Sequence, residues 1–231
     1  MSSSPDRPRP APLPGCAGEH LLQRNLGTER RAAAFYDHQV LDHLDEEMRR
    51  FVARMDMVFV ATADRHGEAD CSFRAGPAGF VTVLGPRSLV YPEYRGNGVM
   101  ASLGNVVENG HVGLLFVDFF EATIGLHVNG RAAVCRADQV RDLEGAPPAL
   151  LAAPGSAPGP GRGRAPELFV LVQVDEAYIH CGKHVPLLRR AGKDRDWGTD
   201  DPVRKGGDYF RAKREDRPWA PLVEPRTGAG A

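Results

Sequence analysis

A glycine-rich turn offers the clearest chemistry in this sequence. The segment Gly96-Asn-Gly-Val-Met-Ala101 fits the pattern G-x-G-x-x-A, follows an apolar run and precedes a helical one. Glycines let a backbone approach a phosphate, and the free amides and dipole of a helix N-terminus favour an anion. With Asp118 about 20 residues downstream, the pattern allows an NAD-binding βαβ domain of a dehydrogenase, although the flanking segments resemble hairpins.

A second interpretation keeps the anion site and changes the ligand. Arg95 and Asn97 lie directly before the helix, and Ser102 lies in its first turns. Ser72 and Arg74 are two residues apart in a predicted strand and therefore share one of its faces. Together these residues can hold one phosphate monoester. The simpler alternative is that Arg95 is solvated and the glycines only form a turn.

Other reactive residue types give weaker patterns. Four histidines can act as acid, base or metal ligand: His111, His127, His180 and His184. The four cysteines are far apart and form no C-x-x-C pair, so neither a metal site nor a disulfide framework is predicted. A reducing cytoplasm is the expected location.

The elements that must position these residues are mostly strands. Seven short apolar or alternating runs are separated by turn residues: 57–63, 68–74, 80–84, 88–91, 111–117, 123–134 and 168–174. Helical spacing extends from Thr28 to Met55 with a break near Asp42, and Asp45 is placed to cap the second helix. A short helix is predicted from Val99 to Glu108. This order favours a small β-barrel with helices, an α+β fold, over a doubly wound sheet.

Composition excludes several classes of protein. The chain has 231 residues and a net charge of -1, so no basic excess indicates nucleic acid as a partner. No apolar stretch approaches the roughly 18 residues of a membrane span, and the N-terminus lacks the apolar core of a signal peptide. The expected organisation is a disordered N-terminus at 1–18, a domain at 19–190 with a Pro/Gly-rich loop at 145–166, and a charged extension at 191–231.

Five segments in order resemble the pyridoxamine 5'-phosphate oxidase-like, FMN-binding split-barrel superfamily: 72–84, 91–97, 102–116, 127–132 and 177–183. The resemblance extends over about residues 45–185. It implies a mainly β fold built on a six-stranded split β-barrel, with N-terminal helices and one short inserted helix. It also implies a homodimer that binds FMN at the interface between its subunits.

The resemblance implies two groups of cofactor-binding residues. The first surrounds the phosphate and the adjoining flavin: Ser72, Phe73, Arg74, Arg95, Gly96, Asn97 and Ser102. The second faces the flavin ring or reaches it from elsewhere, including from a partner subunit: Tyr91, His127, Asn129 and Lys183. His127 and His180 are the candidate catalytic residues, and no metal is implied.

The sequence departs from genuine pyridoxamine 5'-phosphate oxidases at two places. Their pair of basic residues at the start of the inserted helix is not evident, and their C-terminal substrate segment has no counterpart. Vitamin B6 oxidation is therefore not predicted. The predicted function is an FMN-dependent oxidoreductase acting on an unidentified small molecule. The alternatives are a non-catalytic flavin, deazaflavin or haem binding protein, and the NAD-binding domain described above.

Overall fold

Three helices precede the first strand in the computed structural model, which describes residues 13–94, 96–147, 150, 166, 168–192, 199 and 201–217. They are α1 (Ala17–Leu26), α2 (Glu29–Gln39) and α3 (Glu46–Arg54). The Asp45 carboxylate caps α3 by accepting a hydrogen bond from the Met48 amide at 2.8 Å. The predicted break and cap are confirmed. Helix α1 was not predicted, because none of its residues is buried and no core-facing pattern marks it.

Seven strands form one sheet in which every pairing is antiparallel. They are β1 (Met57–Ala63), β2 (Ala69–Ala75), β3 (Thr82–Gly85), β4 (Ser88–Glu93), β5 (His111–Val117), β6 (Gly125–Cys135) and β7 (Leu168–His180). Their order in the sheet is β2-β1-β5-β6-β7-β4-β3. Helix α4 (Ala101–Glu108) connects β4 to β5, and α5 (Ala137–Arg141) follows β6. The mainly β architecture with helices is therefore confirmed.

Two fold expectations need correction. The sheet has seven strands rather than six, and no backbone ladder joins β2 to β3 within the described residues, so the sheet is open. The NAD-binding alternative is wrong as a fold, because a βαβ unit requires two parallel strands of one sheet. The strands before and after α4 are β4 and β5, which β6 and β7 separate in a sheet paired antiparallel throughout.

The main core lies between one face of the sheet and α3. Phe51 and Val52 of α3 pack with Leu44 against inward residues of the strands, among them Val60 and Val128. A smaller cluster on the other side of β4 and β7 joins four buried residues: Val90, Val140, Leu150 and Phe169. Burial of these apolar groups provides most of the driving force that holds the strands at fixed positions.

A β-bulge in β7 sets which side chains face outward. Asn129 pairs with Glu176 and Gly130 pairs with Val174, so Asp175 has no partner in the β6–β7 register. Before the bulge Val174 faces the core, and after it Ala177 does. The extra residue therefore shifts the alternation by one position.

The N-terminal, loop and extension expectations lie largely outside the described residues. Residues 1–12, 148–149, 151–165, 193–198, 200 and 218–231 belong to that part of the chain. Within the described part, residues 201–217 are exposed and include a short 3₁₀ turn, Ala212–Arg214. None of the described helices is long and apolar enough to cross a membrane.

Candidate functional site

A cavity of about 430 Å³ opens between β2, the end of β4 and the start of α4. Its wall is formed by these residues: Asp70, Ser72, Arg74, Glu93, Tyr94, Gly96, Asn97, Val99, Met100, Ala101, Ser102 and Leu103. Five of the residues predicted around a phosphate thus meet in one pocket: Ser72, Arg74, Gly96, Asn97 and Ser102. Arg95, predicted to join them, lies outside the described residues.

Arg74 connects the two sides of this pocket. Its Nε donates to Glu93 Oε1 at 2.8 Å, and its Nη2 donates to Ser102 Oγ at 2.7 Å. Strand β2 is one edge of the sheet and β4 lies next to the other edge. The contact between Arg74 and Glu93 therefore requires the sheet to curve until its two ends approach each other.

Ser72 contributes a hydroxyl with no partner. Its Oγ is buried and forms no hydrogen bond in the structure. A buried hydroxyl left unsatisfied costs roughly 1–3 kcal/mol, so such atoms are rare unless a ligand or water completes them. Because Ser72 lines the pocket beside Arg74, the unsatisfied oxygen indicates a place where a polar ligand belongs.

The glycine-rich turn presents the start of α4 to the pocket. Gly96 and Gly98 have φ values of 55° and 81°, a region that favours glycine, and Met100 before the helix has φ 58°. No side chain caps this helix end. The amides of its first turn therefore lack intrahelical partners and can bind an anion. The Asn97 side chain stabilises the turn itself, since its Oδ1 accepts from the Val99 amide at 3.0 Å.

Glu93 is the pocket residue that sequence reasoning missed. The residue is only 5% exposed. Burial raises its pKa, and the neighbouring Arg74 guanidinium partly opposes that rise. The available signal in the sequence was a charged residue at the end of an otherwise apolar strand. The sequence could not identify Arg74 as the partner of Glu93, because β2 and β4 are not adjacent in the sheet.

The other predicted site residues lie outside this pocket. Tyr91 is buried in the core, where burial strongly raises the pKa of its phenol. Lys183 is exposed in a 3₁₀ turn, Gly182–His184, that follows β7. Phe73 faces the opposite side of β2 from Ser72 and Arg74, because consecutive strand residues alternate. Phe73 is therefore not among the residues that line this pocket, and its predicted contact with the flavin stays a prediction.

The outward face of the sheet carries the remaining predicted residues. One cross-strand row runs from Phe73 through Phe59 and Leu115 to His127 and Tyr178. Three strand spacings of about 4.8 Å separate Phe73 from His127, a distance of about 14 Å. Beside this row, a second cavity of about 520 Å³ is lined by small and polar residues that include Asn129 and Glu176.

His127 and His180 form a pair at the far end of this face. Their Nε2 and Nδ1 atoms are 3.0 Å apart, and the His127 ring stacks on Tyr178 with ring centres 4.7 Å apart. Burial, and then the neighbouring His180, lowers the pKa of His127. The Asn129 amide donates to Glu176 at 2.8 Å. Among the described residues, no group of three or more His, Cys, Asp or Glu is placed to hold a metal ion.

The fold and the pocket define a class of protein. It is an antiparallel β-sheet protein with a polar pocket at the N-terminus of a short inserted helix. The family model for pyridoxamine 5'-phosphate oxidase matches residues 44–180, more than half of the chain. The chain belongs to the pyridoxamine 5'-phosphate oxidase family. The resemblance found in the sequence is confirmed at this level, and the match includes β1 to β7 and α4.

Several solved structures match part of the chain, among them proteins from two bacteria and an F420 reductase. HupZ of Group A Streptococcus is 16% identical, with 64% of this chain and 98% of that chain covered and a TM-score of 0.38. A Lactobacillus delbrueckii protein described as a candidate pyridoxamine 5'-phosphate oxidase is 22% identical. The match covers 61% of this chain and 98% of that chain, with a TM-score of 0.42. An F420 reductase is 13% identical, and the match covers 56% of this chain and 94% of that chain, with a TM-score of 0.37. No curated protein sequence matches the chain.

Proposed function

We propose that this protein is an FMN-dependent oxidoreductase that acts on a small molecule and holds the phosphate of FMN in the pocket between β2 and α4. The observation that carries the proposal is the unsatisfied Ser72 hydroxyl beside a guanidinium and an uncapped helix N-terminus. A phosphate monoester fits this donor set, since it offers several acceptor oxygens and a negative charge.

The residues of the chain would bind and orient the cofactor. Arg74 supplies a charge-assisted donor pair, Ser72 and Ser102 supply hydroxyls, and the first-turn amides of α4 supply fixed dipoles. When bound, FMN supplies hydride and electron transfer, whereas the protein supplies position and electrostatics. The His127–His180 pair is the proposed proton-exchanging group for the substrate.

We further propose a homodimer whose subunits meet through the outward face of the sheet. Phe73 is 53% exposed there, with its ring centre 5.5 Å from that of Phe59. Contiguous apolar surface that is exposed is typical of sites of protein–protein contact. A second copy on this face would cover the row that extends from Phe73 to His127, about 14 Å apart in the single chain.

Titration of the purified full-length protein with FMN and with riboflavin tests the phosphate assignment. The two ligands share the ring system and differ in the phosphate, so FMN should bind at least about tenfold more tightly, the ratio that corresponds to 1.4 kcal/mol. Flavin fluorescence and visible absorbance report the binding. Equal affinity for both ligands, or no binding of either, would contradict the proposal.

A matched pair of arginine variants sharpens the test. Arg74→Met should weaken FMN binding by at least about tenfold and leave riboflavin binding unchanged, because it removes a charged donor to phosphate. Arg65→Met is the control, since Arg65 pairs with Glu108 at the other end of α4, outside the pocket. The control variant should bind FMN like the native chain.

Turnover separates an oxidoreductase from a carrier that uses the same pocket. Reduced nicotinamide is added to the FMN-loaded protein, and the loss of flavin absorbance is followed with candidate acceptors. Reduction and reoxidation at a rate that rises with enzyme concentration supports the oxidoreductase. Bound flavin that is never reduced supports non-catalytic binding.

A further inference from the structure

The pocket contains a buried carboxyl group where an anion is expected to bind. Glu93 is 5% exposed, and its Oε1 accepts from Arg74 Nε at 2.8 Å. A carboxylate in this position competes with a phosphate for the same guanidinium and repels its charge. Glu93 therefore opposes the ligand that the rest of the pocket favours.

Arg74 has capacity for both partners. A guanidinium carries five N–H donors. Within the described part of the chain, three bonds use it: Nε to Glu93, Nη2 to Ser102 Oγ, and Nη1 to the Phe73 carbonyl oxygen at 3.2 Å. Two N–H groups, one on each terminal nitrogen, are left for an arriving anion. A phosphate can therefore bind while Glu93 stays in contact.

The ionisable groups near Glu93 come from β2, from β4 and the residue after it, and from the C-terminal extension. Strand β2 contributes Arg74 and Asp70, β4 contributes the phenol of Tyr91, and Tyr94 directly follows β4. The position opposite Glu93 on β7 is Leu168, which carries no charge, and the first turn of α4 adds only the hydroxyl of Ser102. From the C-terminal extension, the Lys205 ammonium contacts the Gly96 carbonyl at 3.0 Å.

Charges among these described groups nearly cancel before a ligand arrives. Arg74 is paired with Glu93, and in the sum of charges the ammonium of Lys205 offsets the carboxylate of Asp70. A phosphate monoester brings nearly two negative charges at neutral pH and above. Its field would disfavour the ionised form of any carboxyl group nearby.

We propose that Glu93 takes up one proton from solvent when the phosphate of the ligand binds to Arg74, so that the pocket couples cofactor binding to protonation. The inference rests on the proposed function, because it concerns the same pocket. The carboxylate and a solvent proton become a neutral carboxylic acid, Arg74 stays protonated, and no covalent bond of the ligand changes. Burial, which already raises the pKa of Glu93, makes this uptake easier.

Calorimetric titration of the full chain with FMN tests the coupling. The titration is run at about pH 8, where phosphate is already a dianion because its second pKa is near 6. Two phosphate-free buffers with different ionisation enthalpies are compared, and the difference in heat gives the protons taken up. Native protein should take up close to one proton per FMN and none with riboflavin.

Two glutamate variants give the matched comparison. Glu93→Gln keeps an acceptor for Arg74 and removes the charge, so FMN should bind about tenfold more tightly at about pH 8, the effect of one pKa unit. Its proton uptake should vanish, and riboflavin binding should not change. Glu108→Gln is the control, because Glu108 pairs with Arg65 at the far end of the same helix.

The outcomes separate this inference from the proposed function. FMN binding without proton uptake by the native protein overturns the inference and leaves FMN binding intact. Weaker FMN binding by Glu93→Gln than by native protein also overturns it. If the native protein binds no FMN, the proposed function fails and the inference fails with it. The native titration decides the question even if Glu93→Gln does not fold.

Discussion

His127 Nε2 lies 3.0 Å from His180 Nδ1, across the β6–β7 pair and on the outward face of the sheet. At this separation one ring donates and the other accepts, so the hydrogen bond requires that one of the two facing nitrogens carries no proton. The stacked ring of Tyr178 limits the access of water to His127.

The histidine pair should make the protein less stable in mild acid. Burial and His180 lower the pKa of His127 below its unfolded value of about 6.5. Between these two pKa values the unfolded chain binds more protons, so the free energy of unfolding falls as the pH falls through that window. Urea unfolding at about pH 7.5 and pH 5.5 should show a smaller loss for His127→Gln than for native protein.

The control for that measurement is His38→Gln, since His38 is exposed on α2. It should show the same loss of stability with acid as the native chain. A pH dependence of His127→Gln equal to that of the native protein would contradict the prediction.

Removing the unsatisfied hydroxyl of Ser72 should have opposite effects on stability and on binding. Ser72→Ala should raise the free energy of unfolding of the ligand-free protein by about 1 kcal/mol, because a buried group without a partner is removed. The same change should weaken FMN binding by about fivefold to tenfold. Urea unfolding and flavin titration measure the two effects. Ser88→Ala, at the start of β4 and outside the pocket, is the control and should not weaken FMN binding.

Removing the partner of Glu93 should destabilise the protein most at high pH. In Arg74→Ala the carboxyl group stays buried without a guanidinium, at a cost of about 3 kcal/mol when ionised. Its folded pKa then rises further above the unfolded value, so stability is present at low pH and is lost as the pH rises through the folded pKa. Unfolding at about pH 5 and pH 8 measures this loss.

The double variant Arg74→Ala with Glu93→Gln tests the cause. It should recover part of the stability at the higher pH, because no charge is left in the buried site. A loss in Arg74→Ala that is equal at both pH values would show that the guanidinium acts by packing alone.

Much of the fold could be predicted from local patterns. Strands β1 and β5 have the bounds that their apolar runs indicated. Strand β7 extends to His180 rather than ending at Val174, because the bulge at Asp175 breaks the alternation that marked it. Strand β4 extends to Glu93 rather than ending at Tyr91, and Pro92 is tolerated there because it lies beyond the residues of β4 that pair with β3.

The site was predicted in part for similar reasons. The structure brings Ser72, Arg74 and Ser102 to one pocket, and their predicted contact with a phosphate stays a prediction. Glu93 was missed because its contact with Arg74 depends on the curvature of the whole sheet. Local sequence carries the alternation of a strand, whereas the approach of two distant strands depends on long-range packing.

The proposed dimer should dissociate when charge is placed on its apolar surface. Phe73→Asp puts a carboxylate on the row that also contains Phe59, and an uncompensated charge buried in an interface is costly. Sedimentation velocity should show a dimer for native protein and a monomer for this variant. Val107→Asp, at an exposed apolar position on α4, is the control and should stay dimeric. A native monomer would contradict the proposal.

The close approach of β6 and β7 should make Gly130 intolerant of a side chain. A Cβ at this position would lie 2.0 Å from the Gln173 carbonyl oxygen, so Gly130→Ala should lower the free energy of unfolding by about 3 kcal/mol. Gly104→Ala is the matched control, because a Cβ there meets nothing within 4 Å and alanine favours a helix by about 1 kcal/mol. Thermal unfolding of both variants measures the difference.

Asp175, which has no partner in the β6–β7 register, determines which side chains of the second half of β7 face the core. Deleting this one residue would turn Glu176, Tyr178 and His180 toward the hydrophobic interior and expose Ala177 instead. When strands are exchanged between this protein and a relative, keeping the length of β7 therefore matters more than keeping its residue types. A chimaera whose β7 is one residue short would lose both the histidine pair and the core packing of this segment, although Ala177, Tyr178 and His180 would still be present.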